Sequence, residues 1–319
     1  MLTNFPSTKR FLRVAILLVA LVMPLLSAMA QEAAKPEAAA TPEEEHHLPQ
    51  AAVVLKQFGP YDIGGHQFGP LAITNSMVVT WIVALAVIGF AQYATRSIKQ
   101  IPDGAQNFWE WLVESLHDFL QSIIGHDLVQ KTFWFFATVF IFILFTNWAG
   151  LIPGVGTIGW GIPDEQGGLH HIDRPLFRGV NADLNMTLAM SCLFFVCWIV
   201  WALQANGFGG FILHIFGPKG KTQGFMKILM GVVFAIVGVL EVVSIMFRPV
   251  SLSFRLYGNV FAGENMLESM SNIVPALAFL IPIPFYFMEL LVGLVQALVF
   301  MLLTAVFTLL ICQHEEGHH

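Results

Sequence analysis

The sequence predicts an all-α polytopic membrane protein, on three observations. The 319 residues are 56% hydrophobic and only 11% charged, with a mean hydropathy of +0.70, where soluble domains carry roughly a quarter charged residues. The apolar residues gather into four long, almost uncharged blocks, each sufficient for a hydrocarbon core of roughly 30 Å. Between the first two lies an amphipathic stretch that suits the membrane interface better than a crossing. Most of the acids behind the net charge of -6 sit in tails and loops, and no basic patch of the kind nucleic acid needs is present. Cys192, Cys197 and Cys312 lie in or beside apolar runs without metal-ligand spacing, so they read as small buried hydrophobes.

The N-terminus has its own logic. Lys9, Arg10 and Arg13 precede the 13-residue apolar run "VAILLVALVMPLL", followed by Ala28-x-Ala30. That pattern predicts a secretory signal peptide over residues 1–30, cut after Ala30; a run this short containing Pro24 makes a poor anchor. Residues 31–50, "QEAAKPEAAATPEEEHHLPQ", are acidic and of low complexity, and read as a disordered external tail. His46 and His47 within it read as solvated side chains rather than metal ligands. The tail as a whole is taken to run over 31–73.

The first apolar block, about 75–95, ends at Arg96 and Lys99. The second, about 132–152, reads "TFWFFATVFIFILFTNWAGLI" and stops at Pro153. The third, about 184–206, reads "LNMTLAMSCLFFVCWIVWALQAN". The fourth, about 228–312, is interrupted near 271–284 by Asn272, Pro275, Pro282 and Pro284. Signal cleavage leaves the mature N-terminus outside. The first span then carries Arg96 and Lys99 to the cytoplasm, and the third carries Lys219, Lys221 and Lys227 there, as the positive-inside rule asks. Arg174 and Arg178 fall outside, in a loop that also holds acids.

Residues 103–124 place Phe108, Trp111, Leu112, Ser115, Phe119 and Ile123 near one helical stripe, with Glu110, Glu114, His117 and Asp118 largely elsewhere. The stretch lacks the basic face of a typical lipid-binding helix, so contact with a partner fits it as well as contact with lipid. The segment 228–270 is long for one span: 43 residues make about 65 Å of helix. Two spans turning at Arg248-Pro249 and one tilted or bent helix both satisfy its hydropathy.

From Ile228 to His314 there are six charges: Glu241, Arg248, Arg255, Glu264, Glu268 and Glu289. A buried arginine cannot shed its charge, because its pKa lies above about 12. On a helix Glu241, Arg248 and Arg255 share a stripe that Asn259 extends, while Glu264 is rotated about 180° from Arg255. Glu289 and Gln296, seven residues apart, share a face of the next helix. Intramembrane charges are expensive, so function is the default explanation; an interhelical salt bridge such as Arg255–Glu289 is the structural alternative. The set suits ion handling: a wet polar path on one side and an arginine that meets something else on another. A solute transporter would fit less well without an evident inverted repeat. A haem protein would need histidines in the spans, and all eleven lie in tails, loops or the amphipathic stretch.

"RPVSLSFRLYGNVFAGE" closely resembles the signature of subunit a of F-type ATP synthase. "NWAGLIPG", "NADLNMTLAM", "NGFGGF" and "LVQALVFMLLT" resemble further family segments, in order, along most of residues 74–312. The resemblance implies five transmembrane helices plus the interfacial one, the last two forming a long tilted hairpin. The membrane domain then covers 74–313 and a cytoplasmic tail 314–319. It implies a proton-translocating stator subunit, not itself catalytic for ATP chemistry, that provides two offset half-channels to the c-subunit ring. Arg255 matches the arginine between the half-channels. Asn259, Glu264, Glu289 and Gln296 match positions of the outer half-channel, and Glu241 and Ser251 match positions tied more loosely to the ion path. Implied partners are the c-subunit ring, the b-subunit peripheral stalk, the rest of the ATP synthase complex and the lipid bilayer, with no cofactor. The implied location is a bacterial inner membrane, with the C-terminus cytoplasmic. Position 289 is histidine or glutamate in the family, so Glu289 implies a carboxylate pair as the relay. The signal-like N-terminus and long tail depart from the family pattern.

Overall fold

The computed structural model of the chain describes residues 54–58, 61–63, 66–68, 71–152, 159–160, 174–175, 177–216, 225–273 and 280–312. The expected signal peptide, the acidic tail to residue 50, Lys219, Lys221 and the C-terminal tail from residue 314 lie outside these residues.

Among the described residues are six α-helices: α1 (Asn75–Thr95), α2 (Gly104–Ile124), α3 (His126–Gly150), α4 (Leu184–Phe216), α5 (Phe225–Ile273) and α6 (Pro282–Cys312). All but α2 are long and apolar enough to cross a membrane, which makes five. α2 is the amphipathic helix. Short antiparallel strand pairs also occur: Val54–Phe58 (β1) with Leu71–Thr74 (β4), Tyr61–Ile63 (β2) with His66–Phe68 (β3), and Gly159–Trp160 (β5) with Arg174–Pro175 (β6). At two to five residues, these segments are too short for the alternation that identifies a strand in sequence.

The helix that posed the length problem is unbroken. α5 runs 49 residues with Pro249 inside it, about 73 Å at 1.5 Å per residue. The two-span alternative turning at Arg248-Pro249 is therefore excluded.

The chain clusters into two compact units. The first holds Leu48–Thr187 and Phe254–Val306. Thr74, in extended conformation, caps α1 by accepting from the Met77 amide at 3.4 Å. Two residues on, the Ser76 hydroxyl donates to Asp183 Oδ2 at 2.6 Å. Asp183 Oδ1 accepts from the Asn185 amide at 2.9 Å, at the start of α4. One buried carboxylate thus ties two helix beginnings together, with the donors that burial requires. Val79 and Val83 of α1 pack with Val180 just below this link.

α2 carries two apolar faces rather than one. Leu116, Leu120 and Ile124 are buried, while Phe108, Trp111 and Phe119 of the sequence-predicted stripe are exposed. The buried face packs on its neighbours in the first unit, while on the aromatic face Phe108 meets the ring of Phe90 edge-on at 6.1 Å. Gly125 joins α2 to α3 at φ 79°, ψ 164°, a backbone region essentially confined to glycine.

The second unit holds Leu188–Ser253 and the chain from Phe307. The buried Trp198 indole donates to the Phe307 carbonyl at 3.0 Å. Asn206 Nδ2 donates to the carbonyl of Ile311 at 2.7 Å, and α4 kinks at the next residue, Gly207, with φ 68° and ψ 169°. Arg248 lies over two rings, 4.6 Å from the Phe307 centroid and 5.6 Å from that of Trp198. It also donates to Glu241 Oε1 at 3.0 Å.

Candidate functional site

The first unit contains a cavity lined from three helices and the link before α4. α3 supplies Thr146, Asn147 and Gly150; α5 supplies Asn259 and Glu264; α6 supplies Glu289, Gly293 and Gln296; the link supplies Gly179 and Asn181. Four of the sequence-predicted site residues, Asn259, Glu264, Glu289 and Gln296, are therefore brought to one place. Helical spacing explains the selection on α6, where Glu289, Gly293 and Gln296 recur at intervals of four and three. On α5, Asn259 and Glu264 both line the cavity although their spacing sets them about 140° apart.

Glycines let the carboxylates approach. A Cβ at Gly263 would overlap the Glu289 carboxylate, so that group rests against bare backbone of α5. Likewise a Cβ at Gly179 would stand 3.0 Å from Glu264 Oε1. Glu264 and Glu289, 25 residues apart in sequence, thereby border the same small volume. It offers about 20 Å³ to the centre of a water-sized sphere, where one water needs roughly 10–15 Å³.

The wall opposite α5 is an amide network. Asn181 Nδ2 donates to Thr146 Oγ1 at 3.0 Å and to Asn147 Oδ1 at 2.6 Å. Asn147 Nδ2 donates in turn to the Gly293 carbonyl at 3.1 Å. Next to it the Trp148 indole donates to the Leu290 carbonyl at 3.1 Å. Asn181 Oδ1 is buried without a hydrogen-bond partner. A buried amide oxygen in that state is matched to a donor such as water. Just outside the cavity lining, Arg178 Nη2 stands 4.0 Å from Glu264 Oε2.

The remaining sequence-predicted residues lie elsewhere. Arg255 is exposed on α5 and makes no hydrogen bond or ion pair among the described residues. The Arg255–Glu289 bridge weighed from sequence is therefore not formed. Glu241 belongs to the second unit, where it is paired with Arg248. Ser251 is exposed on α5 in the same unit. Among the described residues no group of three His, Cys, Asp or Glu side chains is placed to hold a metal ion.

Sequence reasoning missed Thr146, Asn147, Arg178 and Asn181. Asn147 carried a usable signal, an amide inside a nearly uncharged block, the same signal that singled out Asn259. Asn181 opens the family-like string "NADLNMTLAM", but neither it nor Arg178 has a helical register in the sequence to place its side chain.

Residues 77–308 match the family described as ATP synthase A chain. The chain belongs to that family. It is 32% identical over 207 residues to ATP synthase subunit a of Gloeobacter violaceus, covering 64% of this chain and 72% of the relative. It is 29% identical over 229 residues to the subunit a of Desulfotalea psychrophila, and 27% identical over 229 to that of Syntrophobacter fumaroxidans. In both cases the match covers 70% of this chain and 80% of the relative. Membership of the ATP synthase A chain family, with five helices able to span, makes this a multi-pass membrane component of ATP synthase. The matched region takes in α1 to α6 almost whole and with them every residue of the cavity.

Proposed function

We propose that this chain is the proton-translocating stator subunit of the ATP synthase membrane sector, working against a ring of c subunits. In this reading the cavity of Glu264, Glu289, Asn259 and Gln296 belongs to the half-channel open to the outer side. A proton enters along water and amides and passes between the two carboxylates to a ring carboxylate. Arg255 stands between this half-channel and a second one leading to the cytoplasm. Its permanent charge favours the ionised form of each ring carboxylate that passes. It also keeps protons from running directly between the half-channels. Glu241 and Ser251 are tied more loosely to the ion path. The driving force is sufficient, since one charge crossing 100 mV is worth about 2.3 kcal/mol, and several protons sum to the work of one ATP. The b-subunit stalk holds the stator, and a bacterial inner membrane is the setting, with the mature N-terminus outside.

One observation carries the reading. Two acids and two amides from α5 and α6 surround one water-sized cavity, while Arg255, on the same α5, is outside its lining, exposed and unpaired among the described residues. A structural ion pair would have brought the arginine to the acids. The test is proton flux through assembled complexes in membrane vesicles. Glu264→Gln and Glu289→Gln should each slow it by about tenfold or more, in the range of positioned proton-transfer groups. Parent-level flux in both variants would rule the channel assignment out.

A further inference from the structure

We propose that Arg178 is a positioning residue for Glu264, presented by a rigid backbone plate between α3 and α4. The inference rests on the channel reading above and adds to it a residue from a segment that the reading does not use.

The plate is residues 178–183, and its rigidity follows from how it is pinned. Asp183 accepts from Ser76 on α1 at 2.6 Å, and both residues are buried. Asn181 donates twice to α3, to Thr146 and to Asn147. Val180 is fully buried against Val79 and Val83. Residues 180–182 form a 3-10 turn, in which the Ala182 amide reaches the Gly179 carbonyl at 3.2 Å. Val180 and Asp183 are thus tied to α1 and Asn181 to α3, and little freedom is left for Arg178 and Gly179 at the plate's edge.

That edge faces Glu264. Arg178 is 11% exposed at the side chain, and its Nη2 stands 4.0 Å from Glu264 Oε2. Gly179 meets the other oxygen: a Cβ there would lie 3.0 Å from Glu264 Oε1 and close to the Cα of Gly150. One carboxylate oxygen is therefore met by a cation and the other by bare backbone. At 4.0 Å the guanidinium attracts the carboxylate without locking it in the bidentate geometry that a permanent arginine–carboxylate pair adopts. Such an arrangement favours one orientation of Glu264, at the lining of the cavity. A purely structural pair would be expected closer and doubly bonded.

The experiment is a double-mutant cycle on the assembled ATP synthase, with proton flux in membrane vesicles normalised to the amount of complex present. Arg178→Gln should reduce flux by about tenfold, and Arg178→Lys, which keeps a charge, should restore most of it, as for a contacting pair. On a Glu264→Gln background, Arg178→Gln should add less than about twofold. Gly179→Ala, which leaves the charge and crowds the carboxylate, should by itself reduce flux several-fold. Three outcomes overturn the proposal while leaving the channel reading intact: Glu264→Gln slows flux but Arg178→Gln does not, the two losses multiply in the double variant, or Arg178→Gln lowers only the amount of assembled complex. Parent-level flux in Glu264→Gln overturns the channel reading and this inference with it.

Discussion

At the scale of the residue, the chemistry depends on which side chains reach one small volume and which are kept out. Glu289 reaches it because Gly263 leaves room for its carboxylate. If Glu289 relays protons, Glu289→Gln should cut proton-driven ATP synthesis by about tenfold or more, and Glu289→His, which keeps a titratable group, should retain part of it. Equal loss in both variants would argue for a steric role. Asn181 tests the amide wall separately. Asn181→Ala removes two buried hydrogen bonds and leaves Thr146 and Asn147 without their donor, a loss of about 1–3 kcal/mol. Thermal unfolding of the detergent-purified protein should show a lower midpoint. The acids were legible in the sequence because a carboxylate in an apolar helix is conspicuous and the helical period assigns it a face. Arg178 was legible only as a charge in a loop, since what gives it meaning is a contact made 86 residues away.

At the scale of the element, hydropathy and length located four apolar blocks, the family resemblance implied five spans, and periodicity separated α2 from them. The single helix α5 was not decided by either, because a proline beside an arginine is compatible with a turn and with an uninterrupted helix. The continuous form keeps Arg255, Asn259 and Glu264 in one rigid register, with Glu264 about 180° around the helix from Arg255. The two faces of α2 were half legible: the aromatic stripe was found, but it is the exposed face, and the leucines beside it do the packing. The kink of α4 offers a test of element design. Gly207, at φ 68° and ψ 169°, occupies a region where side chains cost about 1–3 kcal/mol. Gly207→Ala should lower the unfolding midpoint, whereas Gly209→Ala, with open space around it, should change it little. Matching midpoints for the two would mean the kink is not fixed by that residue.

At the scale of the whole molecule, the account is about coupling, which no single contact creates. Topology comes first. With a cleaved signal and five spans, a reporter fused after His319 should be active only as a cytoplasmic fusion, and activity outside would contradict this topology. In the proposed function coupling depends on Arg255, whose lack of a partner among the described residues sets it apart from Arg248, with its carboxylate and two rings. Removing half of a permanent buried pair costs roughly 3–5 kcal/mol and depletes the protein; removing a residue whose partner is a passing carboxylate should not. The most direct measurement is therefore ATP synthesis driven by an imposed proton gradient in vesicles carrying Arg255→Ala, alongside the amount of assembled complex. The account predicts near-normal assembly, no synthesis, and a passive proton leak that stays level or rises. Normal coupling in that variant would contradict it.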